Sequence, residues 1–196
     1  MQNLKVYIHV ATMFTWEAIL SEVIEDCRIS GLRDAAEITI VSVGEPIEKY
    51  RKCRVVNTGK PLTEYEFPTL QLLYDETTEQ DNVCYLHLKG TSQPNSLRHR
   101  EWRRELLEFT VIDWKARVLH LEQRWTSGAR ICNGGAAWGG HHVPAHKHYS
   151  GNFWWARGEY IRKLPSPYDF WTKFPGNRYA AESWLGQLPT INELIS

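Results

Sequence analysis

At 196 residues, with 23 Lys and Arg balancing 23 Asp and Glu, the chain suits one domain that folds without disulfides or metal, and its zero net charge excludes a protein that coats nucleic acid. Cys27, Cys53, Cys84 and Cys132 are far apart and form no C-x-x-C pair, which points to reduced thiols and a cytoplasmic setting. No apolar run reaches the ~20 residues of a membrane span, and the apolar run at 6–10 is too short for a signal peptide.

Residues 5–10 predict a strand, and Thr15 stands where it would cap a helix reaching about residue 30. Trp16, Ile19, Leu20, Val23, Ile24 and Cys27 share one face of that helix, and Gly31 ends it. A β-branched strand follows at 38–43, closed by Gly44, and a short one at 54–57 before the turn Gly59-Lys-Pro61. Residues 66–78 read as a helix with Pro68 in its first turn. The clearest central strand is 82–88, ending in Lys89-Gly-Thr-Ser92.

This alternation predicts an α/β fold, a mixed and mostly parallel central sheet with helices on both faces. Ligands of such sheets sit beyond the carboxyl ends of the strands, which makes the loop after Leu88 a candidate site. A long helix or helix pair is expected over 97–125, with Arg100, Arg103 and Arg104 on one face near its start. Residues 126–155 are rich in Gly, His and Trp and read as short strands and loops. Pro165, Pro167 and Pro175 mark another irregular stretch before a short helix at 180–188. There is no internal repeat.

The segments Tyr85-Leu-His-Leu-Lys-Gly90, His148-Tyr-Ser-Gly-Asn-Phe-Trp-Trp-Ala156 and Ala181-Glu-Ser-Trp184, taken with Tyr65-Glu66-x-Pro68-Thr69-Leu70 and Trp102-Arg103, resemble a group of small viral and bacterial glycosyltransferases with a GT-A-type fold. The resemblance implies one GT-A-like domain over 1–196, with 1–95 as the nucleotide-binding half and 96–196 as the acceptor half. It implies an enzyme that moves a sugar from a UDP- or GDP-linked donor to a hydroxyl of a glycan or other acceptor. In that family the fourth strand usually ends in Asp-x-Asp, which holds a divalent metal (Mn²⁺ or Mg²⁺) on the donor pyrophosphate. Here the matching residues are His87-Leu-Lys89, and no Asp-x-Asp occurs in the chain.

Without that motif, charge on the leaving diphosphate must be met by protein groups. Lys89 offers a compact cation, and His87 a donor or a charge. Gly90 adjoins them. Arg100 and Arg103 either add bidentate phosphate contacts or form a solvated basic helix face. Tyr65, Glu66 and Thr69 match the start of the helix before this strand, where Glu66 either caps the helix or reaches a ribose or sugar hydroxyl. By fold analogy, Thr12 and Trp16 touch the base.

Ser150-Gly151-Asn152 with Trp154 and Trp155 resembles the Gly-rich strand on the acceptor side of the pocket. Gly151 would admit backbone close to the ligand, and Asn152 would read sugar hydroxyls. Strand alternation turns one Trp into the core and leaves the other for a sugar. His148 adjoins this strand, and Asn133 follows the strand-like 129–132. Glu182 holds the place of the catalytic base of an inverting transfer, with helix-end charge as its other role and Asp169 in reserve. His141, His142, His146 and His148 fit no zinc spacing, so no metal ligand is assigned.

The alternative of another class is a carbohydrate- or nucleotide-binding module without turnover, favoured by the missing Asp-x-Asp and by nine Trp residues. A nucleotidyltransferase lacks its Gly-rich phosphate loop, since Ala11-Thr-Met-Phe-Thr15 follows the first strand. A hydrolase lacks a second carboxylate at a recognisable spacing from Glu182.

Overall fold

A computed structural model of the chain describes residues 3–50, 52–128, 148–149 and 151–188, together with the backbone at 131–132, 137–138 and 141–142. Strand β1 (Asn3–Ala11) leads into α1 (Trp16–Ile29) and the short α2 (Leu32–Ala35), then β2 (Glu37–Val43) and β3 (Arg54–Asn57). A 3-10 turn (Leu62–Glu64) precedes α3 (Phe67–Glu76) and β4 (Asp81–His87). Helix α4 (Leu97–Leu107) runs through a π turn (Glu108–Ile112) into α5 (Trp114–Leu121). Short strands follow, β5 (Thr126–Gly128), β6 (Ile131–Cys132), β7 (Ala137–Trp138), β8 (His141–His142) and β9 (His148–Tyr149). The remaining elements are β10 (Trp154–Arg157), α6 (Gly158–Ile161), α7 (Pro167–Trp171) and α8 (Ala180–Trp184).

The central sheet has the order β3-β2-β1-β4-β10-β5. Its first four strands are parallel, and β10 and β5 complete it in antiparallel pairing. This is the mostly parallel mixed sheet that the alternation predicts. The second half of the chain therefore adds strands directly to the sheet of the first. From β1 the chain moves outward to β2 and β3, then returns to lay β4 on the other side of β1. Order reverses between β1 and β4, which opens a crevice at their carboxyl ends.

Helices cover both faces, so the inner strands are apolar on both sides. Val6, Ile8 and Val10 of β1 and Cys84 and Leu86 of β4 pack with Leu20 of α1, Leu106 of α4, Val111 of the π turn and Trp114 of α5. Tyr7, Val83 and Tyr85 pack with Leu70 of α3, Tyr160 of α6, Phe170 of α7 and Trp184 of α8. The helix expected over 97–125 is thus two helices joined by a π turn. Thr15 stands at the N-cap of α1 without a side-chain capping bond, whereas Ser96 caps α4 by accepting from the His99 amide. Among the described residues no helix is long and apolar enough to cross a membrane.

The double covering corrects the reading of the tryptophan pair. Alternation does send Trp154 and Trp155 to opposite faces, but both faces are core, and both side chains are buried. Trp155 donates its indole N–H to the Thr110 carbonyl at 2.9 Å, inside the π turn. Trp154 stacks on Tyr85, with ring centroids 5.3 Å apart and planes 19° from parallel. Neither ring lines a ligand site.

Helix α6 starts where β10 ends, and its first residue lies against the turn that feeds β4. A Cβ at Gly158 would sit 1.8 Å from the Thr78 carbonyl oxygen. That oxygen is backbone and has no rotamer by which to yield. Gly158→Ala should therefore lower stability by about 2 kcal/mol or more. At roughly 2–4 °C per kcal/mol for a chain of this size, thermal unfolding followed by circular dichroism will show a clear drop in Tm.

Candidate functional site

A cleft of about 240 Å³ opens at the carboxyl ends of β1 and β4. Its wall includes His9, Met13, Tyr65, Glu66, His87, Lys89, the loop 90–93, His99 and Arg178. Parallel register pairs His9 with His87, and strand alternation turns both toward the α3 side of the sheet. Tyr65 and Glu66 enter just ahead of α3. Tyr65 has φ +53° and ψ −128°, a conformation that costs a side-chain-bearing residue roughly 1–3 kcal/mol.

Glu66 is the hub of the cleft. One oxygen, Oε2, accepts from the Tyr85 hydroxyl at 2.6 Å and from Asn152 Nδ2 at 2.7 Å. The other, Oε1, lies 3.2 Å from His87 Nδ1. Asn152 is itself oriented by chemistry, because the Trp154 indole only donates and gives its proton to Asn152 Oδ1 at 2.8 Å. That leaves the Asn152 amide nitrogen facing Glu66. Burial alone would raise the Glu66 carboxyl. The charge and hydrogen bond of His87, the charge of His9 and the Tyr85 hydroxyl outweigh it and hold Glu66 well below the usual carboxylate range. Burial pushes the Tyr85 hydroxyl far up, and the charges of Glu66 and Glu182 push it further.

His9 is buried and shares a 2.8 Å hydrogen bond between its Nδ1 and Thr69 Oγ1. Burial, with a smaller push from His87 set against the pull of Glu66, lowers it to about 4. His9 is a neutral imidazole at pH 7.

The opposite wall is cationic. Beyond His87 the chain turns sharply, with the Lys89 amide donating to the His87 carbonyl at 2.9 Å. The Lys89 ammonium lies 4.0 Å from the centroid of the Trp102 ring, and it forms no ion pair among the described residues. Arg178 also lines the cleft and forms no ion pair among the described residues. His99 shares a 2.8 Å hydrogen bond between Nδ1 and Ser96 Oγ. Burial, then the charges of Lys89 and Arg98, lower its pKa.

Several expected site residues have other partners. Arg103 is buried, donates to Glu22 from Nε and Nη2 at 3.1 and 2.8 Å, and donates from Nη1 to the Lys89 carbonyl at 2.8 Å. It holds the Lys89 loop against α1 and α4. Arg100 is exposed beside a neighbouring depression on the far side of Gly90. Thr12 ties β1 to the end of β2 by donating to the Val43 carbonyl at 3.2 Å, and Thr69 stands behind His9. Gly151 has φ +88°, and a Cβ there would come 2.7 Å from Leu106 Cδ1, so it fits the approach to β10 against α4. Glu182 is half-buried on α8 and does not line the cleft. Asp169 is exposed in the first turn of α7. His148 is half-buried on β9. Asn133 and Ser150 lie outside the described residues.

The end of β4 does not fit a divalent metal. Lys89 stands where a second carboxylate ligand would be needed, and among the described residues no group of three or more His, Cys, Asp or Glu could hold a metal ion.

His9, His99 and Arg178 are cleft residues that sequence reasoning passed over. The signal for His9 is its place near the carboxyl end of the first strand. Nothing local marks Arg178.

The chain belongs to the family described as a domain of unknown function, DUF8361, which it matches over residues 6–177. No curated protein matches it.

The buried His9 makes stability depend on pH. Its folded pKa lies below the ordinary value near 6.5, so between about pH 6.5 and 4 the unfolded chain binds the extra proton. Stability is therefore lost as pH falls through that window. His9→Gln should remove the loss, making the drop between pH 7 and 5 smaller than in the wild type by roughly 2 kcal/mol. Urea unfolding at the two pH values measures it, and equal drops in the two proteins would refute the assignment.

Proposed function

We propose that the protein is a nucleotide-sugar-dependent glycosyltransferase, moving a sugar from a UDP- or GDP-linked donor to the hydroxyl of a glycan or other acceptor. The observation that carries this reading is the cleft at the β1–β4 switch point, with Lys89 at its wall and no acid partner for that ammonium among the described residues. Such crevices bind nucleotides in sheets of this order, and a cation fixed there meets the charge that grows on a departing diphosphate. Arg178 and His99, which also line the cleft, supply further donors.

Arg103 supports the site from behind, since its bond to the Lys89 carbonyl fixes the loop that presents the ammonium. The donor in this reading is held by protein cations without a metal. The transfer inverts the anomeric centre by direct displacement. Glu182, the base that sequence position suggests, stands back from the cleft wall, and its charge is felt at the Tyr85 hydroxyl.

The test is a titration of UDP-glucose, GDP-mannose and related nucleotide sugars, with and without Mn²⁺, followed by an assay for free nucleotide when acceptor glycans are added. Binding and consumption are expected, with little change in a chelator. Lys89→Ala should weaken binding by about 10-fold or more, the scale of one charge-assisted hydrogen bond. Its Tm should fall by no more than about 2 °C, because the half-buried lysine loses only a contact with an indole face and no ion pair among the described residues. Binding without consumption would replace this reading with a nucleotide- or carbohydrate-binding module. Loss of binding in the chelator would refute the metal-free donor site.

A further inference from the structure

The donors around Glu66 fix where the protons of His87 lie. An ionised carboxylate only accepts hydrogen bonds, so the imidazole atom 3.2 Å from Glu66 Oε1, His87 Nδ1, carries a proton. The second carboxylate oxygen is occupied by Tyr85 and Asn152, which leaves Oε1 to His87. In the neutral ring Nε2 is then a bare acceptor. That atom is screened from solvent and has no hydrogen-bond partner among the described residues, and His87 is one of the residues that wall the cleft. A buried acceptor left without a donor is unfavourable, and a hydroxyl that reaches it from the cleft would relieve it.

We propose that Glu66 and His87 form a proton-transfer dyad, in which His87 Nε2 takes the proton of a hydroxyl bound in the cleft. The imidazolium that results is stabilised by the carboxylate at Nδ1. His87 is the catalytic residue because it touches the reacting hydroxyl, and Glu66 is a positioning residue. The charged and titratable groups facing the ring are Glu66 ahead of α3, His9 on β1, Tyr85 on β4 and Lys89 in the loop beyond. From the β10 side come only the uncharged Asn152 and the Phe153 ring, whose centroid is 5.5 Å from that of His87 in an edge-on contact. His9 does not share the task, since its Nδ1 is held by Thr69.

The chemical step rests on the glycosyl-transfer reading. The acceptor O–H bond breaks and its proton passes to Nε2. The acceptor oxygen bonds to the anomeric carbon, and the bond from that carbon to the diphosphate oxygen breaks with its electron pair on the diphosphate, whose charge Lys89 faces. After the products leave, the imidazolium returns its proton to solvent.

Long-range ¹⁵N–¹H spectra of the full chain with labelled histidine read the tautomer directly and need no variant. The expected result is a His87 protonated at Nδ1 and bare at Nε2. In Glu66→Gln the carboxylate that selects this tautomer is gone, so a population protonated at Nε2 should appear. For turnover of the nucleotide sugar found above, His87→Gln should cut kcat by about 100-fold or more with KM within about threefold. Glu66→Asp should retain more activity than Glu66→Gln. A ring protonated at Nε2 alone, or a tautomer unchanged in Glu66→Gln, overturns the dyad. So does a His87→Gln protein that turns over nucleotide sugar at the wild-type rate, and in that case the transfer reading stands. If the tautomer and its change in Glu66→Gln hold but no nucleotide sugar is consumed, the dyad stands and glycosyl transfer falls.

Discussion

A carboxylate taken out of water at a sheet edge must be met by donors, because an unpaired buried charge costs several kcal/mol. Glu66 meets that condition with groups from two distant parts of the chain. Tyr85 and His87 come from β4, and Asn152 from the segment that enters β10. The arrangement works only if β10 lies beside β4 and α3 begins above their carboxyl ends. Sheet order, the turn into α3 and the approach to β10 are all tied to one ionised group. Tyr85 in turn is pinned between the Glu66 carboxylate and the face of Trp154, so core packing and the polar network fix each other.

The other side of the cleft follows a complementary logic. Two basic residues close together in sequence, Lys89 and Arg103, have opposite assignments. Arg103 is neutralised by Glu22 and anchors the loop through a backbone carbonyl. Lys89 lies over an indole face, which attracts a cation without cancelling its charge. One cation builds the loop while the other keeps its charge for an anionic ligand. His9, which also lines the cleft, is kept neutral by burial, so the lysine and arginine charges there are those of Lys89 and Arg178.

The strands and the sheet class were legible because their signal is local, being β-branched runs of the right length with turn residues between. So was the cleft's general position, which follows from parallel order alone, and with it Lys89, His87, Glu66 and Tyr65. Roles set by distant partners were not legible. Arg103 reads as a free helix-face cation because Glu22 stands 81 residues away. Glu66 reads as a cap or a ligand contact, yet its partners lie 19 and 86 positions along the chain. The tryptophan pair was misjudged for a related reason. Alternation gives the side of the sheet, but only the placement of α4 to α8 shows that both sides are core. Arg178 has no local pattern at all, since it reaches the cleft through the packing of the segment before α8.

The bond between Asn152 and Glu66 spans 86 residues, and β10 pairs with a strand that ends long before it in the chain. Contacts of such separation carry the loop-closure entropy that slows folding. During synthesis, residues 1–95 can arrange four parallel strands while the acid at their centre still lacks its amide donor. The cleft is thus among the last features to mature. A ligand that requires the finished network binds only the fully folded chain and stabilises it by mass action.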